Sequence, residues 1–484
     1  MKKSAVKKNY LYNVLYQLLA ICLPLITTPY ISRVLGSDGV GTYSYTLSIV
    51  TYFILFGTLG TNTYAQREIA YYQDDVEKRS KVFKEIFILR LITFGISCLI
   101  FILSLCIFGD NKLYYRILII ELVANMIDIT WLFQGMEDFG RIVLKNVIVK
   151  IVSIISIFLF VKSPDDLWIY LLVYSLSNFL GFASLWIDVK KYVVKSSSKD
   201  KLNIKRHLGG ILLLFIPHVA STIYNVLDKT MLGMMASDIS SVGYYEQAEK
   251  VTRLSLTVIT ALGTVMLPRI ANLNANGNKK QLKDNIYKSF NVTFLLSFPI
   301  CFGLIGISDN LVPWFFGPGY EEVNLLIKIC SPIVIIVGLA NVMGAQYLLA
   351  IKQQNKYTVA IIASAIVNFL GNLLLIPKIA EVGVSIMSVI AELVGVIIEY
   401  IYIRKEFDLK KILIMMKNYL CAGVVMLFLI LYISQFLSTS IFNTFLLIFI
   451  GVLFYFFILI FIKDKLITNL IKNILEKVKK NEYR

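Results

Sequence analysis

Charge is scarce in this chain. Only 16% of its 484 residues are Asp, Glu, Lys or Arg, whereas soluble domains carry about a quarter. Histidine is nearly absent: His207 and His218 are the only two. Two histidines without neighbouring cysteines form no zinc constellation. The six cysteines (Cys22, Cys98, Cys106, Cys301, Cys330, Cys421) all fall inside apolar stretches, with no CxxC pair, so no disulfide framework is expected. Short alternating segments of the kind that build a membrane β-barrel are missing as well. The first apolar run, from Tyr10 to Ile31, is too long for a signal-peptide core and has no small-residue cleavage site, so no cleavable leader is expected.

What the chain has instead is apolar surface. Hydrophobic residues make up 57% of it and the mean hydropathy is +0.72. They gather in runs of about 20 or more, the length a helix needs to cross a bilayer. The pattern predicts an all-α polytopic membrane protein of 14 transmembrane helices. The spans lie near 10–32, 41–64, 86–108, 113–134, 142–161, 167–187, 208–233, 242–267, 288–308, 322–350, 357–376, 381–403, 412–434 and 441–462. With both termini on the cytoplasmic side, most of the 48 Lys and Arg fall inside, as the positive-inside rule requires. The outer connectors hold only Arg33, Lys112, Arg116, Lys162, Lys229 and Lys378. The net charge of +17 is therefore a topology signal, and nucleic acid is not an expected partner.

The largest inner connector carries Lys190, Lys191, Lys195, Lys199, Lys201, Lys205 and Arg206. It divides the first twelve spans into six and six. The predicted organisation is an N-terminal lobe over 1–188 and a cytoplasmic basic linker over 189–207. A C-terminal lobe over 208–404 follows, then two further spans over 405–463 and a cytoplasmic basic tail over 464–484. In the tail, Leu466, Ile467, Leu470, Ile471, Ile474 and Val478 stand among lysines. That spacing suits an amphipathic helix on an anionic leaflet, and a frayed basic tail suits it equally.

The two halves repeat. Leu35-Gly36-Ser37-Asp38-Gly39-Val40-Gly41-Thr42-Tyr43 returns as Leu232-Gly233, Ser237-Asp238 and Val242-Gly243-Tyr244. Leu59-Gly60-Thr61 with Arg67 returns as Leu262-Gly263-Thr264 with Arg269, and Gly109 and Gly317 close equivalent third spans. An even number of spans per half makes the repeats parallel, related by a pseudo-twofold axis along the membrane normal. Pro24 and Pro217 occupy corresponding spans. Proline kinks a helix, and paired breaks in repeated halves point either to a central site or to ordinary kinking for packing.

Three stretches carry a family resemblance. They are Leu23-Pro24 with Ile31-Ser32-Arg33-Val34-Leu35-Gly36 and Gly39-Val40-Gly41-Thr42-Tyr43; Asp128-Ile129-Thr130-Trp131-Leu132-Phe133-Gln134-Gly135-Met136-Glu137; and Asn225-Val226-Leu227-Asp228-Lys229-Thr230-Met231-Leu232-Gly233 with Val242-Gly243-Tyr244-Tyr245. The chain resembles, over nearly its whole length, the Wzx-like lipid-linked oligosaccharide flippases, the polysaccharide branch of the multidrug/oligosaccharidyl-lipid/polysaccharide exporter superfamily. The resemblance implies two six-helix lobes around a central cavity, with spans thirteen and fourteen outside. The implied cargo is an oligosaccharide repeat unit on undecaprenyl diphosphate. It is moved from the inner to the outer leaflet of the bacterial plasma membrane by alternating access, for capsule, O-antigen or exopolysaccharide assembly. Membrane lipids, a polysaccharide polymerase and glycosyltransferases are the implied partners. No cofactor or metal is expected.

Sugars and a diphosphate cannot cross hydrocarbon unaided, because each unpaired polar group costs several kcal/mol. Charges embedded in spans are the natural candidates for sheltering such a head group. Arg253 leads this set: it is about twelve residues into its span, roughly 18 Å deep at 1.5 Å per residue. Lys250 lies one turn away, and Arg90 and Lys150 lie nearer the inner ends of theirs. These four are the candidate diphosphate contacts. Against this, Glu246–Lys250 and Glu249–Arg253 are both i,i+4 pairs, which favours local ion pairing. Arg33, Arg67 and Arg269 near span ends are candidate gates or phosphate contacts, or snorkel to head groups. Asp128, Asp228, Glu121 and Glu392 are candidates for coupling to a proton or sodium ion, or for charge pairing. Asn125, Asn225, Asn341, Asn368 and Asn372 are candidates for glycan hydrogen bonds or for interhelical packing. Trp131 reads as an aromatic anchor at the inner interface.

The alternatives on the same fold are a flippase for lipid II or a teichoic-acid precursor, and a multidrug or cation antiporter. From another class, a membrane polysaccharide polymerase would carry a large outer loop, and no connector here is long enough. Asp74-Asp75 and Asp165-Asp166 read as solvated loop charges. The expectation is a transporter, not an enzyme.

Overall fold

The computed structural model describes residues 3–106, 111–194, 202–464 and 466–468; the side chains of 3–22, 216–218, 220 and 221 are outside that description. Gly109, most of the tail, and the side chains of Cys22, Pro217 and His218 therefore lie outside the described residues.

The described chain is helical throughout, with no strand. The helices are α1 (Lys3–Thr58), α2 (Thr61–Tyr71), α3 (Val76–Ser104), α4 (Lys112–Met126), α5 (Thr130–Gly135), α6 (Phe139–Phe160), α7 (Leu167–Leu185) and α8 (Lys205–Met235). Then come α9 (Ser240–Ala275), α10 (Lys279–Phe315), α11 (Glu321–Cys330), α12 (Ile333–Ala340), a π-helical stretch (Asn341–Leu348), α13 (Gln354–Ile403), α14 (Leu409–Ser434) and α15 (Ile441–Phe461). Eleven helical segments among the described residues are long and apolar enough to cross a membrane, as the hydropathy pattern predicts for a polytopic protein.

Two of these long segments are broken inside. In α1 the helix stops being helical at Gly36, with φ 68° and ψ 179°, a left-handed conformation that glycine adopts without strain. In α13 the break is at Ile379 and Ala380. Both fall at connectors the hydropathy pattern places between spans. Elsewhere the ends are set by local chemistry. Asp75 accepts from the Lys78 amide at 3.0 Å to start α3, and that bond holds its carboxyl below the usual carboxylate range. Ser440 accepts from the Asn443 amide at 3.2 Å to start α15. Ser440→Ala is expected to cost about 1 kcal/mol, read as a lowered thermal-unfolding midpoint of the purified protein.

The chain forms two compact units: residues 1–234 with 238–243, and residues 235–237 with 244–484. The first has two apolar cores. One gathers Leu35, Val50, Phe101, Leu118, Leu122 and Leu171; the other gathers Ile69, Ile86, Trp131, Phe133, Leu185 and Ile211. Trp131 is fully buried and donates its indole N–H to the Asp128 carbonyl at 3.1 Å. It is a core residue rather than the interfacial anchor its position in the sequence suggests. The second unit is centred on α10, against which α14 and α15 pack; the Trp314 indole donates to Thr444 Oγ1 at 2.7 Å across that contact.

The repeated glycine motifs meet inside the first unit. A Cβ added to Gly41 would overlap the carbonyl of Ile239. One added to Gly243 would overlap the carbonyl of Ser37. Backbone touches backbone here, which only glycine permits.

Candidate functional site

Five of the sequence-predicted residues, Arg90, Asp128, Asn125, Glu121 and Lys150, come together in one polar chain within the first unit. Arg90, on α3, is fully buried. It donates Nε and Nη2 to the Asn125 carbonyl at 3.1 and 2.6 Å, and Nη1 to Thr61 Oγ1 at 2.9 Å and to Asn62 Oδ1 at 2.6 Å. Asp128 Oδ2 stands 3.8 Å from Nη2, and the Phe94 ring centroid is 5.2 Å from the guanidinium carbon. The Asn125 carbonyl lies in the last turn of α4, which ends at Met126; it accepts the Asp128 amide at 3.3 Å and has a second lone pair for the guanidinium. Arg90 thus ties α2, α3 and the end of α4 together.

The chain continues along α4. Asn125 Nδ2 donates to the Glu121 carbonyl and to Glu121 Oε1, at 2.9 and 3.1 Å. Glu121, 5% exposed, also accepts from Asn178 Nδ2 on both oxygens, at 3.1 and 3.0 Å. Asn178 Oδ1 in turn accepts from Lys150 Nζ at 3.0 Å, and the Tyr174 ring lies 5.9 Å from that ammonium. Lys150 is half-buried, and it is joined to Glu121 through Asn178, which bonds both. Asp128 is spoken for by the Thr130 amide at 2.8 Å. A run of bases and acids is therefore wired from Thr61 to Lys150 through apolar helices.

Asn178 is, like Asn62, a member that sequence reading missed. Its signal was present: an amide inside the apolar run 167–187. What the sequence does not give is its register against α4 and α6. Glu85 was missed too. It is fully buried and accepts from the Asn203 amide at 2.7 Å, Arg206 Nε at 2.9 Å and Nη2 at 2.5 Å. His207 Nε2 lies 2.9 Å from the same carboxylate and Nδ1 lies 2.9 Å from the Tyr64 hydroxyl. The near end of the basic connector is held likewise: Arg79 donates to the Tyr192 carbonyl at 3.0 and 2.8 Å. The Tyr192 hydroxyl donates to Asp138 at 2.5 Å; burial, and then that carboxylate, push it up to about 12.

The remaining candidates are dispersed. In the second unit Arg253 pairs with Glu249 at 2.6 Å and Lys250 with Glu246 at 3.1 Å, the local pairs their spacing favours. The Arg253 side chain is 52% exposed and that of Lys250 31%. Asn372 donates to Asn368 Oδ1 at 3.1 Å, and both are fully buried. Asn341 accepts from Gln346 at 3.0 Å. Glu392 is half-buried and Arg269 exposed. In the first unit Asp228 is buried, Asn225 half-buried and Arg33 exposed. Arg67 pairs with Glu68 at 3.5 Å and lies over the Tyr64 ring. No cluster of three or more His, Cys, Asp or Glu able to hold a metal is present among the described residues.

A sequence profile of the family described as polysaccharide biosynthesis protein matches residues 6–274. A protein of Escherichia coli (strain K12) described as an O-antigen transporter is 25% identical over 410 residues, which cover 84% of this chain and 98% of that protein. A lipid II flippase MurJ solved in an inward closed conformation superposes with a TM-score of 0.73 at 19% identity, over 94% of this chain and 100% of that one. A multidrug resistance MATE family transporter of the MOP superfamily, inward-facing, superposes with a TM-score of 0.63 at 15% identity, over 82% of this chain and 95% of that one.

Proposed function

Because the chain belongs to the polysaccharide biosynthesis protein family and is a multi-pass membrane transporter rather than an enzyme, we propose that it moves oligosaccharide repeat units linked to undecaprenyl diphosphate from the inner to the outer leaflet of a bacterial plasma membrane. In this reading 14 helices form two duplicated six-helix lobes plus a C-terminal pair, with both termini cytoplasmic. The lobes alternate between inward and outward access. The exported polymer is a capsule, an O-antigen or an exopolysaccharide, and a polymerase and glycosyltransferases act on either side of the step.

The observation that carries the reading is the presence of cations inside apolar helices: Arg253 beside Glu249, Lys250 beside Glu246 and Lys150 beside Asn178. Each has an acid or amide partner that fixes its geometry. A guanidinium grips phosphate through two donors, an ammonium as a point charge. Arg90 gives its donors to protein groups and acts from behind, as the brace of α4. An inside-negative potential assists export of an anionic head group, by about 2.3 kcal/mol per charge per 100 mV. Glu121, Asp128, Asp228 and Glu392 are the acids through which a proton or sodium gradient would couple; of the candidate glycan amides, Asn225 and Asn341 stay in that role, whereas Asn125 is bonded to Glu121 and Asn368 and Asn372 are fully buried and bonded to each other.

The test is delivery of a fluorescent undecaprenyl-diphosphate oligosaccharide to the outer leaflet of proteoliposomes. A charge-assisted hydrogen bond is worth about 1.5–3 kcal/mol, so Arg253→Ala and Lys150→Ala are each expected to slow delivery roughly ten- to hundredfold at unchanged unfolding temperature. Full-rate delivery by a variant lacking Arg253, Lys250 and Lys150 together overturns the reading. Transport of an organic cation in place of the labelled lipid would favour the antiporter.

A further inference from the structure

The second unit contains a buried acid that neither the polar chain of the first unit nor the proposed cation set uses. Glu399 lies on α13, one turn before its end at Ile403. It is 3% exposed. Its Oε2 is buried without a hydrogen-bond partner, and it forms no ion pair among the described residues. Native proteins leave few buried polar atoms unpaired, and each such atom asks for a reason.

The surroundings narrow the reason. Glu399 Oε1 sits against Gly344, where an added Cβ would meet that oxygen and the Tyr357 ring. Gly344 belongs to the π-helical stretch Asn341–Leu348, the one such stretch among the described residues. π-Helical turns are rare and recur at functional positions. Here the turn brings a glycine face against a carboxyl group. The titratable groups facing that carboxyl are Tyr357, at the start of α13, and Glu392, two turns back on the same helix. Neither supplies a positive charge. Lys356 lies over the Tyr402 ring, 5.5 Å from its centroid. A metal cation would need several oxygens around it, whereas what packs at Oε1 is Gly344 and the Tyr357 ring. An isolated carboxylate removed from water without a cation is costly, and the group neutralises instead.

We propose that Glu399 is a proton-binding site, held as the neutral carboxylic acid by its packing against the π-helical stretch. On binding, Oε2 takes a proton from water and the negative charge is lost; on release, the proton returns to water and the carboxylate must find solvent or a cation. Release therefore requires the π-helical stretch to move off α13. The inference goes beyond lipid transport and does not depend on what the chain carries.

The experiment is infrared difference spectroscopy of the full chain in nanodiscs of phosphatidylethanolamine and phosphatidylglycerol. The wild type at neutral pH is expected to show a carboxylic-acid C=O stretch that E399Q lacks, and the band is expected to fade as pH is raised. If the difference between the two proteins shows only carboxylate stretches, the proposal is overturned. E399Q has nearly the shape of the neutral acid and should fold. Should it not, Gly344→Ala serves: its methyl group presses on Oε1, so the acid band is expected to shift, and a band that stays unmoved overturns the proposal. Neither readout uses a transport assay, so its failure is separable from failure of the flippase reading.

Discussion

Arg90→Ala is expected to be among the most damaging single substitutions in the first unit, lowering stability by about 3–5 kcal/mol. The guanidinium makes four hydrogen bonds at 2.6–3.1 Å from a fully buried position. Its removal leaves the Asn125 carbonyl, Thr61 and Asn62 facing a cavity, and Asp128 loses the cation 3.8 Å away. A buried acceptor stripped of its donor costs about 1–3 kcal/mol, more when charged. Arg90→Lys is expected to recover only a small part, because one ammonium cannot reach helix end, hydroxyl and amide in the fork geometry of a guanidinium. Thermal unfolding of the purified protein and the folded yield in membranes both read this. Asp128→Asn is the control: its contact with Arg90 is long and its Thr130 bond survives, so the loss should be much smaller. Equal losses for Arg90→Ala and Asp128→Asn would show the ion pair, not the hydrogen bonds, to be the main contribution.

Gly41→Val and Gly243→Val form the second large expectation. A Cβ at either position collides with a carbonyl group of the other repeat, and backbone cannot rotate away as a side chain can. Overpacking a well-packed contact costs about 1–3 kcal/mol, and valine adds two methyl groups beyond the Cβ. Each variant is expected to unfold at markedly lower temperature, with alanine intermediate. The double alanine variant should lose less than the sum of the singles, because the first substitution already separates the chains that the second would push apart. Strict additivity would mean the two glycines do not share one contact. By comparison Gly95, where an added Cβ meets nothing within 4 Å, should accept alanine with little change.

Much of this was legible without coordinates. Apolar runs of bilayer length can be satisfied only by helices or closed barrels, and the continuous runs chose helices. The breaks at Gly36 and at Ile379–Ala380 fall at connectors the hydropathy pattern marks. The i,i+4 pairs on α9 follow from helical spacing alone, and Arg253–Glu249 and Lys250–Glu246 form as that spacing requires. The repeated glycines announced themselves by order and composition. Their sequence distance gave no hint that Gly41 and Gly243 touch.

Partnership across helices was not legible. Asn178 stands in an apolar run and Glu85 in an ordinary amphipathic turn, and neither spacing names a partner. Glu85 receives Asn203, Arg206 and His207 from a connector that composition presents only as basic. Trp131 carries the residue type of an interface anchor, yet burial places it in the core. Glu399 resembles any acid near a helix end until Gly344 and the π-helical stretch are seen to close over it. The sequence by itself determined which segments are helical, which face lipid-like surroundings, and which charges are too deep to be accidental, because those follow from the free energy of single segments in water or hydrocarbon. Only the tertiary structure decided which buried charge meets which, because that depends on how helices distant in the chain are rotated and aligned, and a turn of one residue exchanges every partner on a face.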